Sequence, residues 1–346
     1  MRRHLSTILK LLITVAGLAF VLTQIDLQTL TETLRQTSPG WLLLTFVLIN
    51  VGLVVRAYRW LVLLRGLDVN IKLSRLTALY YVGTFFNSFL PTSFGGDVMR
   101  IVEVARDVPG GVAAGTVILD RLTGLLMLFI MALLALPFRP ANFPDSLLWL
   151  VVGVSVAGLV TGAVLLEGSL IVRFDRWLPA PLSPTGSSPV SRVLRAVNAV
   201  GWSAVSRALL ISLMFNLILV AWWWTSARAL GYNLPLTFLL LVIPILSITL
   251  LVPAVGGFGP REAVATVLFN GSLAATGTSL PSGTGFALSA LVFLLERLPG
   301  ILGGFVYLGM SLRSDAVDGN AIAGENDSQA RRLKTRDLTK SEKSGS

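Results

Sequence analysis

The sequence predicts an all-α polytopic membrane protein, built from six full spans and two broken re-entrant hairpins, with both termini cytoplasmic. Three observations carry that expectation. Of 346 residues, 54% are hydrophobic and only 13% charged, with a mean hydropathy of +0.76, a balance far from that of a water-soluble domain. The apolar residues gather into stretches close to the roughly 20 residues needed to cross a hydrocarbon core of about 30 Å. The arginines fall in short clusters at the ends of those stretches, as positive-inside orientation requires. The formal charge of +10 therefore points to a membrane surface as partner and away from nucleic acid. With no cysteine, and a single histidine at His4, the chain offers no thiolate or imidazole set for a metal, and no cofactor motif is expected.

In chain order, the basic opening Met1-Arg2-Arg3-His4 precedes an apolar run over 8–25. It resembles a signal peptide but is long and lacks a small-residue cleavage site, so it reads as a retained first span. The second span covers 40–64, and its following linker carries Arg65, Lys72 and Arg75. The apolar segment 76–90 is short and runs into Pro91-Thr92-Ser93-Phe94-Gly95-Gly96-Asp97. Spans three and four cover 111–138 and 146–166. A linker over 170–205 carries Arg173, Arg176, Arg192 and Arg195, is rich in proline, serine and glycine over 179–189, and is expected to end in a surface helix over 191–198. The fifth span covers 206–230. The second short segment, 236–252, runs into Pro253-Ala254-Val255-Gly256-Gly257-Phe258-Gly259-Pro260, and the sixth span covers 285–312. The membrane domain thus extends over 1–312, and the polar tail 313–346, with Arg331, Arg332, Lys334 and Arg336, is expected to be disordered and cytoplasmic.

Charge placement orients the two broken segments. If both crossed fully, the arginine-rich 170–205 linker would face outside; treated as re-entrant hairpins, every basic cluster lies inside. Non-helical backbone at membrane depth is tolerated only against protein or a water-filled cavity, so both breaks should point inward. The order span, span, broken hairpin, span then occurs twice, over 8–138 and 146–312, from opposite sides of the membrane, which is the plan of an inverted-topology repeat. Leu119-Asp120-Arg121-Leu122-Thr123-Gly124 is echoed by Leu295-Glu296-Arg297-Leu298-Pro299-Gly300.

An ionisable side chain at the centre of a membrane helix costs roughly 2.5 to 3.5 kcal/mol on insertion scales. Here Asp97 and Arg100 lie one helical turn apart, and Asp120-Arg121, Arg261-Glu262 and Glu296-Arg297 are adjacent opposite charges. One reading is structural, with ion pairs pinning the hairpins. The other is functional: the free N–H groups at helix ends beside Gly95-Gly96 and Gly256-Gly257 favour anions and join Arg100 and Arg261 to hold a lipid phosphate. Arg56 and Arg59, beside Tyr58 and Trp60, read most simply as snorkelling at the interface, with an anionic headgroup as the alternative. The run Trp222-Trp223-Trp224 reads as an interfacial belt, with a substrate-stacking platform as the alternative.

Together, Asn87-Ser88-Phe89-Leu90-Pro91 leading to Gly95-Gly96-Asp97 and Arg100, the Asp120-Arg121 pair, and Pro253 through Gly259 with Arg261-Glu262 resemble the lysylphosphatidylglycerol synthase transmembrane region, also called the flippase-like membrane domain. The resemblance covers nearly the whole chain up to about residue 312. It implies a bundle that binds or translocates an aminoacylated phospholipid or, in stand-alone members, another lipid-linked substrate. Taken with the charge reading above, the candidate headgroup-binding residues are Arg56, Arg59, Asn87, Gly95, Gly96, Asp97, Arg100, Asp120, Arg121, Gly256, Gly257, Gly259, Arg261, Glu262, Glu296 and Arg297. Full-length synthases of that family carry a soluble transferase-like domain after the membrane part; only a short polar tail follows here, so aminoacyl transfer is not expected of this chain alone. No G-x-x-x-x-G-K-[ST] loop is present, so transport is expected to be passive or ion-coupled. An intramembrane transferase using Asp97, Asp120, Glu262 or Glu296 as base, and a scaffold for a separate lipid-modifying enzyme, are the alternatives.

Overall fold

The computed structural model describes residues 37–89, 95–139, 143–167, 189–249, 259–272, 283–310 and 312, and among them every regular element is helical. The chain runs α1 (Pro39–Arg65), α2 (Leu73–Phe89), α3 (Gly95–Val104), α4 (Gly110–Ala135, continued by a 3-10 turn at Leu136–Phe138), α5 (Asp145–Glu167), α6 (Pro189–Ala199), α7 (Trp202–Ala229), α8 (Leu236–Thr249), α9 (Pro260–Ser272) and α10 (Thr284–Met310). Of these, α1, α4 with its turn, α5, α7 and α10 are long and apolar enough to cross a membrane, and they coincide with the second to sixth predicted spans to within a few residues. The predicted span over 8–25, the breaks at Pro91 and Pro253 with Gly256 and Gly257, the proline-rich part of the linker and the tail lie outside the described residues.

The two short apolar segments are helical up to Phe89 and Thr249, ahead of Pro91 and Pro253 in the sequence. At 1.5 Å per residue, the 17 residues of α2 and 14 of α8 reach about 26 and 21 Å, less than the hydrocarbon thickness. Each is followed by another short helix that packs beside it, α3 against α2 and α9 against α8. At the first of these contacts the backbones nearly touch: a Cβ on Gly96 would overlap the Gly83 carbonyl. The Gly96 N–H donates to Asn87 Oδ1 at 2.6 Å. Apolar on all sides, α8 buries Phe238, Leu239, Leu241, Val242, Ile243 and Leu246, as a helix with no polar face must in the middle of a bundle.

Antiparallel packing of α1 on α7 forms the longest seam. Ser38 N–H donates to the Ala229 carbonyl, Thr45 and Thr225 share a hydrogen bond of 2.7 Å, Trp222 sits against Gly52, and Gly66 meets Val200 and Ala204. Across this pair lies α4, held by Asn216 Nδ2 donating to the Gly124 carbonyl at 3.1 Å. The expected surface helix appears as α6 and seats on α4 at Gly111 and Gly115. Between α10 and α2 the contact is again made by glycines, Gly300 against Thr84 and Ser88 and Gly303 against Tyr81. In lipid no hydrophobic force separates helix from solvent, so such close van der Waals approach is what binds helices together. On the outside, α5 buries only Val151, Ser155 and Gly162 and exposes Trp149, Leu150, Val156 and Val160, an apolar face suited to acyl chains.

Two sequence expectations fail here. Trp222 and Trp223 are buried and form no interfacial belt: Trp222 packs over Gly52 and Trp223 stacks on Phe269 of α9. Nor does Arg59 snorkel, because at 3% exposure it is drawn inward by a carboxylate described next.

Candidate functional site

Asp120 is the centre of the first charged cluster. It stands on α4 at 1% exposure and accepts from three elements: Arg59 Nε of α1 at 2.7 Å, Arg100 Nη2 of α3 at 2.9 Å, and the Tyr80 hydroxyl of α2. A buried carboxylate demands this many donors, since an unpaired one in hydrocarbon would be far costlier than the pairs. Arg100 also donates to Asp97 at 3.1 Å, and its guanidinium lies 4.3 Å from the Trp60 ring centroid and 3.8 Å from that of Tyr80, close enough for cation–π attraction. Arg59 extends to Ser212 Oγ of α7 at 3.0 Å. Arg121 turns away from its neighbour Asp120 and pairs with Asp97.

A second cluster repeats the plan. Gly259, at φ +107°, a value open to glycine alone without strain, leads into Pro260 at the first position of α9. Glu262, three residues on, reaches back to accept the Gly259 N–H at 2.7 Å, half of a capping box. Its other oxygen accepts from Ser289 Oγ at 3.0 Å and from Arg261 at 3.3 Å. Arg261 also donates to Glu296 of α10 at 2.8 Å. Thus in each half an arginine from the short helix after the break binds an acid on the next long helix: Arg100 to Asp120, and Arg261 to Glu296.

Between the clusters lies a cavity of about 290 Å³ walled by both halves of the chain. Five arginines line it, Arg56, Arg59, Arg100, Arg121 and Arg297, against two acids, Asp97 and Glu296; Leu53, Leu125, Leu128, Phe215 and Trp222 supply apolar wall. Both acids are engaged, Asp97 by Arg100 and Arg121 and Glu296 by Arg261. Arg56 differs from its neighbours. Its guanidinium lies between the rings of Tyr80 and Phe215, 5.2 and 5.0 Å from their centroids. Its buried Nε has no hydrogen-bond partner, and among the described residues no carboxylate pairs with it. Arg297 packs its guanidinium on Phe293, 3.9 Å from the centroid.

Of the residues singled out from sequence, the cavity therefore collects Arg56, Arg59, Asn87, Gly96, Asp97, Arg100, Arg121, Glu296 and Arg297. Asp120 stands just behind the wall as their anchor. Gly95 is buried in the first turn of α3, and Gly259, Arg261 and Glu262 belong to the second cluster without lining the cavity; Gly256 and Gly257 lie outside the described residues. The helix-end amides expected to meet an anion are partly occupied, Gly96 by Asn87 and Gly259 by Glu262, so the positive charge at the cavity is that of its guanidinium groups. Each acid named as a possible base, Asp97, Asp120, Glu262 or Glu296, is already bound by an arginine. Tyr80, Ser212, Asn216, Phe215 and Ser289 were not anticipated; isolated polar residues in otherwise apolar helices are the signal that marks Ser212, Asn216 and Ser289.

A family model described as lysylphosphatidylglycerol synthase TM region matches residues 7–304. A UPF0104 membrane protein from Methanocaldococcus jannaschii is 27% identical over 119 residues, covering 34% of this chain and 35% of that protein, so the match spans about a third of either chain. No solved structure matches.

Proposed function

This chain belongs to the lysylphosphatidylglycerol synthase TM region family, and from that premise we propose that it binds a phospholipid or lipid-linked anionic substrate by its phosphate in the Arg56 cavity and carries it across the cell membrane. The observation that carries the reading is the charge of that cavity: five arginines face two acids already ion-paired with arginine, and among the described residues the buried Nε of Arg56 has no hydrogen-bond partner. Guanidinium offers a planar fork matched to phosphate oxygens, and a charge-assisted bond of this kind is about twice as strong as a neutral one. A volume of about 290 Å³ suits a headgroup whose acyl chains stay in the bilayer. The matching Arg100–Asp120 and Arg261–Glu296 pairs, each beside a proline-glycine break, support two equivalent re-entrant hairpins in inverted halves that expose the site to either leaflet in turn.

The test is reconstitution in liposomes with fluorescent phospholipid and an impermeant quencher. The wild type should move label between leaflets faster than protein-free liposomes, and Arg56→Gln should slow this by about tenfold or more, the worth of one charged hydrogen bond. Arg56 is the informative site because among the described residues it has no ion pair to lose, whereas Arg261 or Glu262 variants would dismantle a buried cluster. Wild-type rates equal to those of empty liposomes would end the translocation reading.

A further inference from the structure

Resting on the reading just given, we infer that the cavity selects a headgroup of net negative charge bearing no ammonium group, with Arg56 as the residue that meets its phosphate, and that it discriminates against aminoacylated lipid. The argument is one of donors and acceptors. Guanidinium groups only donate, and an ammonium also only donates, so a cationic headgroup needs carboxylate or carbonyl oxygen where this wall presents arginine. Among the described residues Asp97 is ion-paired with Arg100 and Arg121, and Glu296 with Arg261. Asn87 spends its oxygen on the Gly96 N–H. The segments 90–94, 250–258 and 273–282, which flank the short helices, contain neither aspartate nor glutamate, so they bring no further carboxylate to the breaks.

Lysylphosphatidylglycerol, for which the family is named, carries two ammonium groups against one phosphate and is a net cation at neutral pH. Brought into this cavity, its ammonium groups would face guanidinium groups in a wall whose two carboxylates are, among the described residues, already ion-paired with arginine, a like-charge juxtaposition that opposes binding. Phosphatidylglycerol and polyprenyl phosphates present the same anion without that conflict. A zwitterionic lipid such as phosphatidylcholine should fall between.

The test is equilibrium binding of water-soluble dioctanoyl lipids to the full chain in detergent, followed by tryptophan emission, which Trp222 on the cavity wall should report. Dioctanoyl phosphatidylglycerol should bind at least about tenfold tighter than its lysyl ester, with dioctanoyl phosphatidylcholine intermediate. Arg56→Gln should bring phosphatidylglycerol affinity down to that of phosphatidylcholine while keeping the wild-type melting midpoint without lipid. Equal or tighter binding of the lysyl ester would overturn the selectivity and leave the binding site standing. Undiminished preference for phosphatidylglycerol in Arg56→Gln would overturn the assignment to Arg56. Failure of all three lipids to bind would remove the underlying function itself.

Discussion

Replacing Asp120 by asparagine removes the one charge on which three helices converge. Arg59 would keep only Ser212 as a side-chain hydrogen-bond partner, and Arg100 would keep Asp97, so one buried guanidinium is left without any counter-charge among the described residues. Removing one member of a buried ion pair costs about 3–5 kcal/mol; an asparagine oxygen can still accept one bond, which puts Asp120→Asn near the lower figure. Glu296→Gln is the matched comparison, since Arg261 retains Glu262 and Glu296 is a quarter exposed; about 1 kcal/mol is expected there. Thermal denaturation in a mild detergent, followed by loss of the monodisperse peak on gel filtration, should show a midpoint for Asp120→Asn lower by roughly 5–15 °C and for Glu296→Gln by only a few degrees. Asp120→Asn as stable as wild type, or less damaging than Glu296→Gln, would refute the claim that Asp120 anchors the first cluster.

Other contacts make separate predictions. Gly303→Val should prevent α10 from seating on α2, because even a Cβ overlaps the Tyr81 carbonyl; yield of monodisperse protein should collapse, whereas Gly309→Val, with open space around it, should purify normally. Gly259→Ala meets nothing within 4 Å, yet its φ of +107° makes alanine strained by about 1–3 kcal/mol, a loss measurable as a lower denaturation midpoint.

The long helices were legible because a bilayer imposes a length, and any run of about 20 apolar residues between arginines announces itself. The short helices α2 and α8 were legible for the converse reason, as apolar runs too short to cross; the expected breaks at Pro91 and Pro253 lie outside the described residues. What could not be read was direction. Adjacent residues on a helix diverge by about 100°, so Asp120 and Arg121, neighbours in sequence, find different partners in Arg59 and Asp97. The same divergence sends Trp222 to the α1 seam and Trp223 to α9, where three tryptophans in a row suggest a single belt. Asp97 and Arg100, a full turn apart, do pair as their spacing implies. Capping of Gly96 by Asn87 depends on how α2 folds back on α3, which no local pattern encodes.

The convergence on Asp120 also bears on how the protein is made. Arg56 and Arg59 belong to α1, whereas the carboxylate that neutralises Arg59 arrives some sixty residues later, on α4. An α1 inserted ahead of α4 would therefore carry Arg59 without its counter-charge, a burden of up to roughly 2.5 to 3.5 kcal/mol on insertion scales that the arrival of α4 relieves. A chain truncated before α4 is accordingly expected to leave α1 more easily extracted from the membrane than one that extends past Asp120.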